Sequence, residues 1–177
     1  MTQDPASAPV RPARECDLLS LVAVELAADE LFAEVGIRFP PGTTVIEGVS
    51  DPSRVLVCGD PPEGFALTGT ADGLVHLEQL AVRPSAGRRG IGGRLLAAVC
   101  DHAARLGVPG VTLTTYRDVP WNAPWYARHG FTVLPREHWG DELAALVAHE
   151  RDLGIEVAPR VVMFRAVGCP NLSFMWW

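Results

Sequence analysis

One stretch constrains this chain more than any other: Leu80-Ala81-Val82-Arg83-Pro84-Ser85-Ala86-Gly87-Arg88-Arg89-Gly90-Ile91-Gly92-Gly93-Arg94-Leu95-Leu96. A β-type apolar run ends at Val82, glycines follow at 87, 90, 92 and 93, and helical spacing begins at once. Ile91, Leu95, Ala98, Val99, Ala103 and Leu106 trace one face of a helix predicted over residues 88–106, with Gly107 and Pro109 as its stop. A strand, a glycine loop and a helix N-terminus in succession make an anion cradle. Glycine lets the backbone approach a phosphate closely, the first helical N–H groups have no partner inside the helix, and the helix dipole adds partial positive charge there. Arg88, Arg89 and Arg94 add side-chain donors for phosphate oxygens. No Gly-Lys-Ser/Thr follows, so this is not a P-loop. Leu95 stands where the dinucleotide-binding pattern needs its third glycine, which argues against a nucleotide-dependent oxidoreductase.

The rest of the chain frames this segment. A length of 177 residues suits one compact domain, and 48% hydrophobic with 20% charged residues fits a globular chain rather than a disordered or fibrous one. The expected division is a flexible stretch 1–12, a single domain 13–167 and an apolar tail 168–177. No run approaches the ~18 apolar residues of a membrane span, and the start, MTQDPASAPVRP, lacks the apolar core of a secretory signal; the expectation is a cytoplasmic protein with no membrane partner. A net charge of −6 argues against a nucleic-acid partner. Cys16, Cys58, Cys100 and Cys169 are scattered, with no zinc-type spacing, and read as reduced thiols; no metal is expected.

Helical spacing of Leu18, Leu19, Val22, Leu26 and Leu31 predicts one long or two short helices over residues 15–35. Short β-type runs follow at 55–58, 65–70 and 74–82, with turn residues between them that predict antiparallel hairpins. A strand over 111–116 after the helix suggests a βαβ crossover. A short helix over 120–129, a strand over 131–134, a helix over 141–153 and a strand over 160–167 complete a mixed α/β domain. The tail's Phe174, Met175, Trp176 and Trp177 fit either packing against the domain or a homodimer contact.

The glycine segment resembles the acyl-CoA loop of the GNAT acyltransferase superfamily, whose pattern is Gln/Arg-x-x-Gly-x-Gly/Ala after a β-strand. Gly90 and Gly92 match its small positions, and Gly87 stands where Gln or Arg is usual. Downstream, Asn122-Ala123-Pro124-Trp125-Tyr126-Ala127-Arg128-His129-Gly130-Phe131 is similar to the family's Asn-x-x-x-x-Tyr-x-x-x-Gly-Phe signature. The two occur in the family's order and cover residues 55–134. The resemblance implies a central mixed β-sheet flanked by helices and splayed between its fourth and fifth strands. It implies transfer of an acetyl group from acetyl-CoA to a primary amine of a small molecule or peptide, by direct attack, with no metal. A non-catalytic acyl-CoA sensor of the same fold is the alternative.

The resemblance also implies roles for residues. Leu80, Ala81 and Val82 would pair with the pantetheine arm as a missing strand would, and Arg88, Arg89, Gly90, Ile91, Gly92 and Gly93 would take the pyrophosphate. Asn122 would contact the thiol-bearing half of the cofactor, and Tyr126 would protonate the departing thiolate. An alkylammonium with a pKa of about 10.4 must shed a proton before attack. His76 and Glu78, two apart on one predicted strand, are the candidate bases, and each also reads as a satisfied strand residue. Phe32, Tyr116, Trp121 and Trp125 are expected to line the acceptor site, although core packing also explains aromatics at these positions. His102, His138 and His149 receive no role.

Overall fold

A computed structural model describes residues 9–42 and 44–168. Seven strands form one sheet in the order β1-β2-β3-β4-β5-β7-β6: β1 (Val10–Pro12), β2 (Val55–Gly59), β3 (Pro62–Ala71), β4 (Leu74–Val82), β5 (Gly110–Tyr116), β6 (Thr132–Val133) and β7 (Arg160–Ala166). Four α-helices accompany them: α1 (Glu15–Asp29), α2 (Ile91–Leu106), α3 (Ala123–Arg128) and α4 (Asp141–Asp152). All neighbouring strands are antiparallel except β4 and β5, which run parallel through the crossover helix α2. The helix and strand expectations therefore hold, with one addition and one correction.

The addition is β1. Residues 10–12, expected to be frayed, pair antiparallel with 56–58 on the sheet edge. Charge holds them there. Arg11 donates to both carboxylate oxygens of Asp17 at 2.6 and 3.2 Å, and Asp17 also accepts the Arg14 N–H at 2.7 Å. The Arg11 hydrogen bond holds the Asp17 carboxyl below its usual range.

The correction concerns the buried face of α1. The apolar spacing pointed to Leu19 and Leu26, yet these are 86% and 53% exposed. Leu21, Val24 and Glu25 face the sheet instead, over a core of Val55, Val57, Phe65, Leu67 and Ala81. A buried glutamate in the stripe hides it from a hydropathy count. Glu25 accepts the N–H groups of Val45 and Ile46 at 2.8 and 3.0 Å, which satisfies a carboxylate that water does not reach, and burial pushes its pKa up.

Across the sheet, α2 buries Ile91, Leu95, Leu96, Val99 and Ala103 against Val75, Leu77, Val111 and Leu113. Parity along β4 shows an irregularity. Val75 and Leu77 join this core, and so do Leu80 and Val82, while Ala81 packs on the α1 side. Strict alternation cannot give that pattern, so one extra residue must intervene. The pairing with β3 supplies it: Thr68 opposes Leu77, Leu67 opposes Gln79, and Glu78 is the bulged residue.

The bulge coincides with a fork. β4 pairs with β5 only through Val75–Val111, His76–Thr112 and Leu77–Leu113, after which the two strands part. β5 continues to Tyr116 along β7, and β4 continues to Val82 along β3. The splay expected between the fourth and fifth strands is thus present.

Helix α4 lies near the far end of the β3–β4 hairpin and is fixed to it. Asp72 at the hairpin tip accepts the N–H groups of Glu142 and Leu143, each at 3.0 Å, while the Glu142 carboxylate accepts the Asp72 N–H at 2.6 Å. This capping exchange is supplied by a residue seventy positions away. Cys16 is exposed, whereas Cys58 and Cys100 are buried. Cys169 and the apolar tail lie outside the described residues.

Candidate active site

Beyond the fork, residues Leu80, Ala81 and Val82 have β3 on one side only, through Ala66, Phe65 and Gly64. Their other edge is an extended row of backbone N–H and C=O groups with no strand beside it among the described residues. The chain leaves β4 through a tight turn over Pro84–Ala86, fixed by the Arg83 N–H on the Glu63 carbonyl at 2.8 Å. It then enters α2 with two residues in the left-handed region, Arg88 (φ 61°) and Gly90 (φ 74°). Gly90 is the helix cap, and the Arg94 N–H donates to its carbonyl at 3.0 Å. The amides that begin α2, at Ile91, Gly92 and Gly93, precede the first helical hydrogen bond and stand beside the fork. Ile91 is itself a core residue, 1% exposed, so only its backbone is available.

The arginines divide. Arg88 is exposed on the loop. Arg89 forms an ion pair with Glu63 at 3.4 Å. Arg94 lies close enough to the buried Cys58 for its charge to act on that thiol, which puts it on the inner side of α2.

The opposite wall comes from the β5–α3 connection. Asn122 caps α3, and its carbonyl accepts the N–H groups of Trp125 and Tyr126 at 2.8 and 2.9 Å. Its side chain donates from Nδ2 to Thr115 Oγ1 at 2.7 Å, while Oδ1 is buried and has no hydrogen-bond partner. An unsatisfied buried acceptor is costly, and a ligand N–H at this point would offset that cost. Together the row of β4 backbone groups, the α2 amides and this orphaned oxygen fit a ligand with an amide-bearing arm and an anionic end, as coenzyme A has.

Tyr126 is 8% exposed, its ring 5.0 Å from that of Trp125 and 5.7 Å from that of Phe131. Burial raises its phenol pKa, which keeps it protonated throughout the neutral range.

The two candidate bases are separated by their surroundings. His76 lies in the closed part of the sheet, 1% exposed, with Nδ1 2.9 Å from Thr112 Oγ1. Burial lowers its pKa to about 4, so it is a neutral, hydrogen-bonded core residue. The fork does not expose it. Glu78 is the first residue past the last β4–β5 pair and is exposed. It forms an ion pair with Arg54, whose Nε also donates to the Thr68 carbonyl at 3.0 Å. Its side chain crosses Gly69, where a Cβ would fall 2.1 Å from Glu78 Oε1; the glycine makes room for it.

The four aromatics expected to line the acceptor site, with Phe32 on the wall opposite the other three, fall into two groups. Phe32 lies 5.6 Å from Tyr116 and 5.8 Å from Trp121, with Phe39 behind at 5.2 Å. Trp125 is not among them. It stands on the cradle, 3.5 Å from where a Gly92 Cβ would be, with the His129 ring 4.1 Å from its own. Sequence proximity of Trp121 and Trp125 misled here, because the cap at Asn122 turns the chain between them.

A groove of about 320 Å³ between β5, β7 and α4 is lined by Thr114, Trp139, Val147, Glu150 and Arg160, away from the cradle. Its floor is already paired: Glu150 accepts from Thr114 and Arg160 at 2.9 and 3.1 Å. Among the described residues no group of His, Cys, Asp and Glu could hold a metal, and no helix is long and apolar enough to cross a membrane.

The frame of the site is a mixed sheet parted between β4 and β5 beside a glycine-capped helix. Residues 51–133 match the family model of the acetyltransferase (GNAT) domain. Solved structures that resemble the chain include several acetyltransferases. An acetyltransferase of the GNAT family from Staphylococcus aureus has a TM-score of 0.69 at 13% identity, covering 91% of this chain and 99% of its own. The PaiA N-acetyltransferase from Thermoplasma acidophilum, solved with coenzyme A, has 0.61 at 17%, covering 90% and 99%. N-acetylglutamate synthase from Neisseria gonorrhoeae, solved with coenzyme A and N-acetylglutamate, has 0.65 at 20%, covering 90% of this chain. The chain matches only 35% of that longer synthase. The fold is GNAT-like, and residues 51–133 match the model of that acetyltransferase domain.

Proposed function

We propose that this chain is an acetyl-CoA-dependent N-acyltransferase whose acceptor is a primary amine. The observation that carries this reading is the fork itself, a strand edge left unpaired from Leu80 to Val82 that leads directly into the amides at the start of α2. The match to the acetyltransferase family over residues 51–133 supports it. Bound acetyl-CoA supplies an activated thioester.

The chain's own groups have four tasks. The Leu80–Val82 edge holds the pantetheine arm extended, and Asn122 Oδ1 accepts an N–H from that arm. The amides of Arg88 to Gly93 take the pyrophosphate, where the helix dipole favours negative charge. Fixing the thioester beside the amine converts an encounter into an effectively unimolecular step. Glu78, at the mouth of the fork, accepts the amine proton through water, and the Arg54 ion pair holds its carboxylate in place. Tyr126 delivers a proton to the leaving thiolate, a task suited to a phenol that burial keeps protonated. His76 has no part in this scheme.

The test is calorimetric titration with CoA, followed by mass-spectrometric detection of acetylated products from a broad amine panel. The reading expects CoA binding and at least one acetylated amine. Absence of CoA binding would refute it, and tight binding with no product from any amine would favour a sensor of the same fold.

A further inference from the structure

The buried stripe of α1 does not stop being polar at Glu25. One turn later Asp29 lies on the same face, and three residues further the continuing helical turn carries Phe32. Asp29 is half-buried, and among the described residues its carboxylate makes no hydrogen bond and no ion pair. Its position contrasts with that of Glu25, whose carboxylate is satisfied by two backbone N–H groups. Burial and the neighbouring Glu25 push the Asp29 pKa up to about 6, and its charge is felt at the Tyr116 phenol. A carboxylate kept partly out of water without a partner destabilises the fold, and such groups concentrate where a ligand supplies the partner.

The rings around it have a matching chemistry. Phe32 meets Tyr116 and Trp121 at 5.6 and 5.8 Å in tilted and edge-on contacts. Tyr116 is held from behind, its hydroxyl donating to the Ile155 carbonyl at 2.6 Å and Arg160 lying 5.0 Å from its ring centre. Arg160 is in turn paired with Glu150 at 3.1 Å, so its charge is already neutralised. Trp121 is 36% exposed and leaves indole surface open to a ligand. The group adjoins the fork through covalent neighbours: Tyr116 follows Thr115 and Trp121 precedes Asn122, and Thr115 and Asn122 are hydrogen-bonded to each other.

We propose that Asp29, Phe32, Tyr116 and Trp121 form the acceptor subsite of the fork, and that it takes a primary ammonium carried on an aromatic or other apolar stem. The proposal rests on the acyltransferase reading for the fate of that amine, but not for its binding. The carboxylate pairs with the cation, aromatic faces attract it further, and the stem lies on Phe32 and Trp121. Neutral and anionic analogues of the same shape are discriminated against, because they leave Asp29 unpaired or repel it.

The experiment uses the full chain and three probes of one shape: phenethylamine, phenethyl alcohol and phenylacetate. Each is titrated while the Trp121 indole N–H resonance is followed by NMR, the signal being assigned by its loss in Trp121→Phe. The proposal expects the amine to shift this resonance and to bind at least tenfold more tightly than the alcohol, with phenylacetate weaker still. Asp29→Asn is expected to bring amine and alcohol to equal affinity while CoA affinity, measured on the same sample, stays unchanged. Equal binding of amine and alcohol by the unaltered chain, no binding of the amine, or undiminished amine selectivity in Asp29→Asn would overturn the subsite. A chain that binds the amine selectively but does not bind CoA would overturn the acyltransferase reading and leave the subsite standing.

Discussion

At the residue scale the site is a set of contrasts in partnership. His76 and Glu78 are two apart in sequence, yet one is sealed between β4 and β5 and the other stands at their parting. The identities of both were legible, but the bulge that sends one in and leaves the other out was not. Asn122 was marked by the resemblance of residues 122–131 to the GNAT signature, and the structure adds that its buried Oδ1 has no hydrogen-bond partner. Tyr126→Phe removes only the hydroxyl from a packed ring, so CoA affinity should hold while kcat falls by about 10² to 10⁴. Calorimetry and single-turnover kinetics check the two halves separately. Glu78→Gln should lower kcat at every pH assayed, whereas His76→Asn should leave the shape of the pH–rate profile unaltered. An acidic limb that disappears in His76→Asn would return the base to His76.

At the element scale, α2 and α4 are held by opposite means. The start of α2 depends on residues without side chains. Gly90 is in the left-handed region, and a Gly92 Cβ would stand in ordinary contact with Trp125. Gly92→Val adds bulk where the phosphates would lie and presses on that ring, so CoA binding should weaken at least tenfold, ~1.4 kcal/mol, with the far-ultraviolet spectrum unchanged. The start of α4 depends on one side chain from elsewhere. Asp72 caps it, and a Cβ at Gly140 would fall 2.2 Å from the Asp72 carboxyl carbon. Asp72→Ala should cost about 1–2 kcal/mol, the usual range for a lost cap, seen as a lower Tm. Gly140→Ala should cost at least as much, because it expels the cap and adds a collision. These pairings are invisible in sequence, since nothing local marks Asp72 as belonging to a helix seventy residues on.

For the molecule as a whole, two groups set opposing pH dependences in the same window. His76 has a folded pKa near 4 against 6.5 unfolded, so the unfolded chain takes up its proton first as the pH falls. Stability due to this group is complete above pH 6.5 and is lost down towards pH 4, about 3 kcal/mol at ~1.4 kcal/mol per pKa unit. Asp29 runs the other way. Its folded pKa near 6 exceeds the ordinary 3.8, so its contribution is fully present below 3.8 and is lost as the pH rises through 6. Solvent screening reduces that term to about 1 kcal/mol for a half-buried group. The two partly cancel between pH 4 and 6.5. Asp29→Asn should therefore be more stable than the unaltered chain at pH 8 and should show a steeper loss on acidification, measured by urea unfolding at a series of pH values.

The sequence by itself determined the strand–loop–helix cradle, the hairpins before it and the crossover helix. Each rests on a local rule: glycine freedom at a helix start, period-two or helical spacing, and turn residues between apolar runs. Tertiary structure alone decided three further things. It paired residues 10–12 with β2, because the Arg11–Asp17 ion pair draws the chain onto the sheet edge. It separated Trp125 from Trp121, because the chain turns at the Asn122 cap. And it turned Glu25 inward beside Leu21 and Val24, because Glu25 finds its hydrogen-bond partners only when residues 45 and 46 fold over it, so no count of hydropathy along the helix could reveal the buried face or the Asp29 carboxylate at its end.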